Sequence, residues 1–300
     1  MITCFDIGGS AIKGAVASSP SDIRSFGRVA TPLDDFDAFC AAIAGMLADD
    51  TSPVAIAITG VVDPKSGRIK CANIPCIDGR PLARELGERL RRPVTVANDA
   101  DCFALAEALE GAGRGHDIVF GAILGTGVGG GLVIDGRIVN GAGGYAGEWG
   151  HGPVAATSAG TPPAEIPRFA CGCGLVGCVD AVGGARGMEK LHRHLHGVDL
   201  PSTAIVEAWR SGDAEAARTI ECQIDLLASP LALVVNVVGA DIVPVGGGLA
   251  RAPGFVDRLD REVRRRILRR TKAPLVVAGT LGGDPGLVGA ALLGLREESR

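Results

Sequence analysis

One pattern occurs twice in this chain and limits its fold more than any other: an apolar strand, a glycine-rich turn and a second strand. The first copy runs from Ile2 to Ile7, turns at Gly8-Gly9-Ser10 and resumes from Ala11 to Ala17. The second runs from Ile118 to Leu124, turns over 125–131 and resumes from Leu132 to Ile134. Asp135-Gly136 then marks a tight hairpin into Val139. Such an echo within 300 residues points to two similarly built α/β domains facing each other across a cleft, with the glycine-rich stretch 111–115 as linker.

Other elements follow from spacing. Phe36, Phe39, Ile43 and Leu47 share one side of a helix expected over 34–47. Pro53 to Thr59 reads as a buried strand and 81–90 as a helix opened by proline, whose missing N–H is harmless there. A strand over 93–97 runs into Asn98-Asp99, and a helix follows over 100–110. Later, one helix is expected over 180–196 and a long one from Asp213 through Val238. A strand over 241–245 leads into Gly246-Gly247-Gly248, a basic amphipathic helix spans 253–268, and Asp284-Pro285 opens the last helix.

Charge and composition exclude several classes. A net charge of -4 without a basic block argues against nucleic acid as a partner. The opening MITCFDIGGS lacks the basic region of a signal peptide, and no apolar run reaches the ~18 residues of a bilayer span. A soluble, cytoplasmic protein with no membrane partner is expected. Six of the nine cysteines lie scattered among apolar neighbours and read as small core residues of a reducing compartment.

The other three, Cys171, Cys173 and Cys178, fall within eight residues, and His151 stands twenty positions upstream of them. One histidine and three cysteines complete the tetrahedral set of a structural zinc, with no position open for water. A disulfide would leave one thiol of the trio unpaired.

The glycine turns carry the next signal. Asp6 at a strand end, before Gly8, Gly9 and Ser10, fits either an ordinary hairpin or backbone amides that cradle phosphate beside hydrated magnesium. Gly125, Gly127 and Gly130 match GxGxxG in form, yet strand residues follow, which argues against a dinucleotide fold; no GK[ST] is present for a P-loop. Five glycines in seven residues exceed the needs of a plain turn and favour close approach to a ligand. Asn98-Asp99, between strand and helix, offers a general base or simply an N-cap. His192, His194 and His196 do not share one helix face and read as solvent-facing.

In order, these features resemble the ROK family (repressors, open reading frames and kinases), sugar kinases of the actin-like ATPase superfamily. The most specific stretch is EWGH at 148–151 with CGCGLVGCVD at 171–180, similar to the family's ExGH…CxCGxxGCxE. FDIGGS at 5–10, ANIPCIDGRPL at 72–82, NDADCFALAEA at 98–108 and GAILGTGVGGGLVIDGRIVNG at 121–141 look most like the N-acetyl-D-glucosamine kinase branch, as does the long spacer between His151 and Cys171.

The resemblance implies a duplicated, ribonuclease H-like α/β fold. One domain would hold 1–112 plus a C-terminal helix over 285–300, and the other 113–284 with a zinc-binding insert at 148–180. It implies that Asp6, Gly8, Gly9 and Ser10 face ATP phosphates and Mg2+. Gly125, Thr126, Gly127 and Gly129 would hold the other side of the phosphates, and Gly246, Gly247 and Gly248 would lie near the nucleoside. Asp99 would be the catalytic base, with Asn98, Gly60, Glu148, His151 and Asp180 on the sugar. His151, Cys171, Cys173 and Cys178 would bind zinc. Three departures stand out: Asp180 is one methylene shorter than the family's glutamate, Ala11 replaces a basic or polar residue, and Thr59-Gly60 replaces Pro-Gly.

The expected activity is ATP-dependent phosphorylation of N-acetyl-D-glucosamine on its 6-hydroxyl, by a homodimer as the family suggests. N-acetylmannosamine and glucose are rival acceptors, and a sugar-binding regulator without chemistry is a rival class. A ROK repressor would carry a helix-turn-helix ahead of the DIGG strand, where only five residues precede Asp6.

Overall fold

The computed structural model describes residues 1–48 and 51–297. In chain order the main elements are β1 (Ile2–Ile7), β2 (Ala11–Ser19), β3 (Asp22–Ala30), α1 (Phe36–Ala44), β4 (Val54–Ile58), β5 (Val61–Val62), β6 (Ile69–Lys70), α2 (Leu82–Leu90), β7 (Val94–Asn98) and α3 (Asp99–Glu110). Then come β8 (Ile118–Leu124), β9 (Val128–Ile134), β10 (Arg137–Ile138), β11 (Ser158–Ala159), β12 (Ala164–Glu165), α4 (Asp180–Gly183), α5 (Ala185–His196), α6 (Ser202–Arg210) and α7 (Ala214–Val238). The chain ends with β13 (Val243–Gly246), α8 (Phe255–Arg264), β14 (Val276–Ala278) and α9 (Pro285–Glu297). The C-terminal helix expected over 285–300 extends onto 298–300, which lie outside the described residues.

The chain divides into two compact units. The first contains 1–114, 131–146 and the segment from Thr280 onward; the second contains 115–130 and 147–279. The chain thus passes between units within β9, so 131–146 joins the first unit, whereas the sequence placed it in the second domain.

The repeated pattern reappears as repeated topology. One five-stranded sheet has the order β3-β2-β1-β4-β7, the other β10-β9-β8-β13-β14. In the first, β2 runs antiparallel to β1 while β4 and β7 run parallel to it. In the second, β13 is parallel to both β8 and β14. The Asp135-Gly136 hairpin forms as expected, with both residues at positive φ (50° and 69°).

Side-chain alternation along the first sheet decides which helices cover which face. Phe5, Ile7, Ile56 and Ile58 point to one side and build a core with Phe39, Ile43 and Leu86 from α1 and α2. Cys4, Ala15, Ala55 and Ala57 form the other side, under Leu287, Ala290 and Ala291 of α9. That second face is made of small residues, which lets helices approach closely. A Cβ added at Gly289 would stand 2.0 Å from Cys102 O, so α9 and α3 meet backbone to backbone there.

Two further expectations fail, because of tertiary contacts. The single helix over 180–196 is broken: Gly184 is extended (φ -88°, ψ -175°), and a Cβ on it would meet Gly127 Cα at 2.5 Å. The break brings a helix start against the second glycine turn. Among the three histidines, His192 is not solvent-facing; it is 1% exposed and pairs with Thr219 Oγ1 at 2.9 Å. His192 and His196 stand one turn apart on α5, with ring centres 4.9 Å apart. By length and apolar composition α7 could span a bilayer, but 56% of that window is buried within the protein, as in a core helix.

Candidate active site and metal centre

The first glycine turn sits at the ends of β1 and β2. Gly8 N–H donates to Ala11 O (3.1 Å), and Thr31 Oγ1 donates to Gly8 O (2.7 Å). Among the described residues the N–H groups of Gly9 and Ser10 have no hydrogen-bond partner. A Cβ at Gly8 would meet no protein atom within 4 Å, so packing alone does not require glycine there.

A charge cluster lies at the base of this turn. Strand register sets Lys13 opposite Asp6. Lys13 Nζ lies 3.0 Å from Asp6 Oδ2 and 2.5 Å from Asp284 Oδ2, at the start of α9. Burial, with the Asp284 carboxyl beside it, pushes Asp6 up to about 6, against the pull of Lys13. No motif marks Lys13 as part of this cluster, and Asp284 reads in sequence only as the start of a helix. Cross-strand pairing with Asp6 could have suggested Lys13; nothing local announces a partner 271 residues away.

Asn98 ends β7 and caps α3. Its Oδ1 accepts from the N–H groups of Ala100 (2.7 Å) and Asp101 (3.1 Å), and its Nδ2 donates to Gly60 O (2.8 Å). The N-cap reading therefore holds for Asn98. Asp99 opens the helix, partly exposed, with Oδ1 accepting from Ala100 N–H at 2.9 Å. Gly60, at φ 111°, has Lys70 O 2.7 Å from where a Cβ would stand, so only glycine fits. All of these groups belong to the first unit.

In the second unit, the second glycine turn repeats the features of the first. Gly125 N–H donates to Gly127 O (3.0 Å), while the N–H groups of Thr126 and Gly127 have no partner among the described residues. The start of α5 covers the turn's carbonyls: Ala185 N–H donates to Gly125 O (2.8 Å) and Arg186 N–H to Thr126 O (3.3 Å). Gly247, at φ 89°, sits against the end of β8, where a Cβ would meet Leu124 O at 2.4 Å. Beside these turns opens a cavity of about 540 Å3, lined by Thr126, Ser202, Thr203, Val206, Arg210 and Arg251 among others. Gly248 also lines it. The four α6 residues were not anticipated, since only the fold brings that helix to the turn.

The four residues of the candidate metal centre lie together. One ligand atom from each of His151, Cys171, Cys173 and Cys178 lies within 4.8 Å of all the others. Cys173 Sγ and Cys178 Sγ are 3.7 Å apart, as are Cys171 Sγ and His151 Nδ1. Tetrahedral zinc with bonds of ~2.3 Å to sulfur and ~2.0 Å to nitrogen has ligand–ligand edges of roughly 3.5–3.8 Å, so these residues fit the ion. His151 turns Nδ1 to the cysteines, leaving Nε2 3.8 Å from Glu148 Oε2. Burial raises the Glu148 carboxyl above its usual range; His151 opposes this and Asp180 adds to it.

Asp180 behaves differently from a plain sugar ligand. Its Oδ1 accepts from Val128 N–H at 2.7 Å, and its Oδ2 lies 3.5 Å from Cys171 Sγ. Both oxygens face protein atoms of the glycine turn and the metal centre.

A sequence model of the ROK family matches residues 2–297. The chain belongs to the ROK family. It is 34% identical to N-acetyl-D-glucosamine kinase of Escherichia coli O157:H7, over 98% of this chain and 99% of that protein. It is 36% identical to the N-acetylgalactosamine kinase AgaK of Shewanella sp. ANA-3, over 97% and 95%. Among solved structures, the ROK hexokinase from Thermus thermophilus superposes with a TM-score of 0.83 at 29% identity, covering 99% of both chains. A ROK family glucokinase from Streptomyces griseus, in complex with glucose and AMPPNP, gives 0.79 at 29%, covering 98% and 99%. The expected α/β, actin-like ATPase fold and a ROK sugar kinase as the class of enzyme are thereby borne out.

Proposed function

We propose that this ROK protein transfers the γ-phosphoryl group of ATP to the 6-hydroxyl of an N-acetylhexosamine, with N-acetyl-D-glucosamine as the preferred acceptor. The observation that carries the nucleotide half is one that each unit shows by itself. Each glycine turn presents two adjacent N–H groups that the protein itself does not use: Gly9 and Ser10 in one, Thr126 and Gly127 in the other. Consecutive amides of this kind favour anionic oxygens. The 540 Å3 cavity beside Thr126 has room for a nucleoside, and Gly248 lines it.

Asp99 is the proposed base. It would take the 6-hydroxyl proton as that oxygen bonds to the γ-phosphorus and the bond to the departing ADP oxygen breaks. Asn98 fixes the start of α3 and Gly60 together, and so would orient Asp99. Asp6 would hold hydrated Mg2+, which when bound neutralises phosphate charge. Glu148 and the Nε2 edge of His151 would bind sugar hydroxyls, while the zinc ligands fix the segment that carries them.

The acceptor rests on the relatives named N-acetyl-D-glucosamine kinase. N-acetyl-D-galactosamine is a second reading, favoured by the 36% identity to AgaK. An ADP-release assay over both sugars, N-acetylmannosamine and glucose decides between them. N-acetyl-D-glucosamine should give the highest kcat/KM; a higher value for another sugar replaces it. Asp99→Asn should fold, bind sugar and lose about 10²–10⁴-fold in kcat. Near-normal turnover would remove Asp99 as the base.

A further inference from the structure

The metal centre and the second glycine turn are joined at several points. Trp149 Nε1 donates to Gly129 O at 2.8 Å. Gly150 lies so close to Val128 that a Cβ on it would meet Val128 O at 2.5 Å. The side chain of Asp180 accepts from Val128 N–H, and a Cβ at Gly127 would stand 2.2 Å from Asp180 Oδ1. Turn and carboxylate thus fit each other without spare room.

Asp180 is in turn held from both ligand-bearing segments. Its own N–H donates to Gly150 O at 2.8 Å, next to His151. It also stands two residues after Cys178, at the first position of α4. Closing metal bonds to His151 and Cys178 would therefore fix the Asp180 backbone from two directions, and its carboxylate would fix Val128. The short aspartate side chain keeps the carboxylate at the turn.

We propose that Asp180 is a positioning residue through which metal occupancy at the His/Cys centre sets the geometry of the 125–128 turn, and hence nucleotide affinity. This inference rests on the reading of that turn as phosphate-binding. A charge-assisted hydrogen bond to a backbone N–H is stronger than a neutral one, and the turn amides must be aimed before ATP arrives.

The test measures nucleotide binding directly, by titration calorimetry with the non-hydrolysable analogue AMPPNP and Mg2+, rather than turnover. Metal content is followed in every sample. In the wild-type protein, stripping the metal with a chelator and then dialysing it away should weaken AMPPNP binding about tenfold. Asp180→Ala should weaken it by a similar factor while retaining metal, and stripping metal from that variant should weaken it little further. Asp180→Asn keeps an oxygen acceptor for Val128 N–H and should restore most of the affinity. Hydrogen exchange at the Val128 amide gives a second readout: it should speed up on metal removal and in Asp180→Ala, and not in Asp180→Asn.

Equal weakening by metal removal in wild type and Asp180→Ala would overturn the inference. So would loss of sugar affinity alone in Asp180→Ala, which would make Asp180 a sugar ligand. If Asp180→Ala does not fold, the wild-type chelation and Val128 exchange data decide: unchanged exchange on metal removal refutes the coupling. No AMPPNP binding by the metal-loaded wild type would instead sink the kinase reading, and this inference with it.

Discussion

The two glycine turns share a pattern in sequence and differ in what holds them. The 8–10 turn is backed by charge: Lys13 between Asp6 and Asp284, with one carboxyl pushed up to about 6. The 125–128 turn is backed by shape and backbone: α5 covers its carbonyls, Trp149 and Gly150 crowd its strand, and Asp180 takes one amide. One turn thus rests on a cluster of charges, the other on backbone contacts and a carboxylate beside the candidate metal centre. The two sheets share their topology, while the contacts that support their turns differ.

The largest expected effect that separates the turns comes from Gly127→Ala. Its Cβ would stand 2.2 Å from Asp180 Oδ1, so the carboxylate must leave Val128. Stability should fall by about 1–3 kcal/mol, as for other overpacked sites, and nucleotide affinity should fall with it. Urea unfolding and AMPPNP titration measure both; unchanged affinity would show that the turn tolerates losing its brace.

Next in size is the pH response of the other turn. The folded-state pKa of Asp6 is raised above its ordinary value of 3.8, so the folded protein favours the protonated form. The stabilising contribution of this group is present below pH 3.8 and lost as pH rises through about 6. Lys13→Met removes the cation that opposes the shift, so that the metal-free variant should lose more stability than wild type between pH 5 and pH 7. Each tenfold change in proton affinity is about 1.4 kcal/mol. Denaturation midpoints at the two pH values test this, and equal slopes in both proteins would show that Lys13 does not govern Asp6.

Smallest is Gly8→Ala. With no protein atom near its Cβ, it should change stability by no more than about 0.5 kcal/mol. Yet it should weaken AMPPNP binding if the turn faces phosphate. Unaltered binding would leave only the second turn on the nucleotide.

The sequence made much of this visible, and the reasons are physical. Glycine turns between strands and a Cys-x-Cys-x4-Cys run are local: the covalent spacing alone limits what they can do. The break at Gly184 was hidden because the helical apolar spacing continues across it, and only the close approach of Gly127 forces the extended conformation. Lys13 with Asp284, and Asp180 with Val128, depend on tertiary register and not on any motif. Asn98 shows a third case, in which one side chain caps a helix and tethers Gly60 at once, so that the bland reading and the functional one need not compete.

The buried histidine of α5 has a spectroscopic consequence. The Thr219 hydroxyl donates to Glu215 O at 3.1 Å, so it accepts from His192, which must carry its proton on Nδ1. Burial, with His196 beside it, lowers the His192 pKa and keeps the ring neutral near pH 7. In a 15N-histidine spectrum, His192 should therefore appear as a single, slowly exchanging Nδ1–H tautomer, distinct from the exposed His116 and His194. Because α5 begins at the second glycine turn, that one resonance reports on the helix without a substituted residue when nucleotide or metal is added.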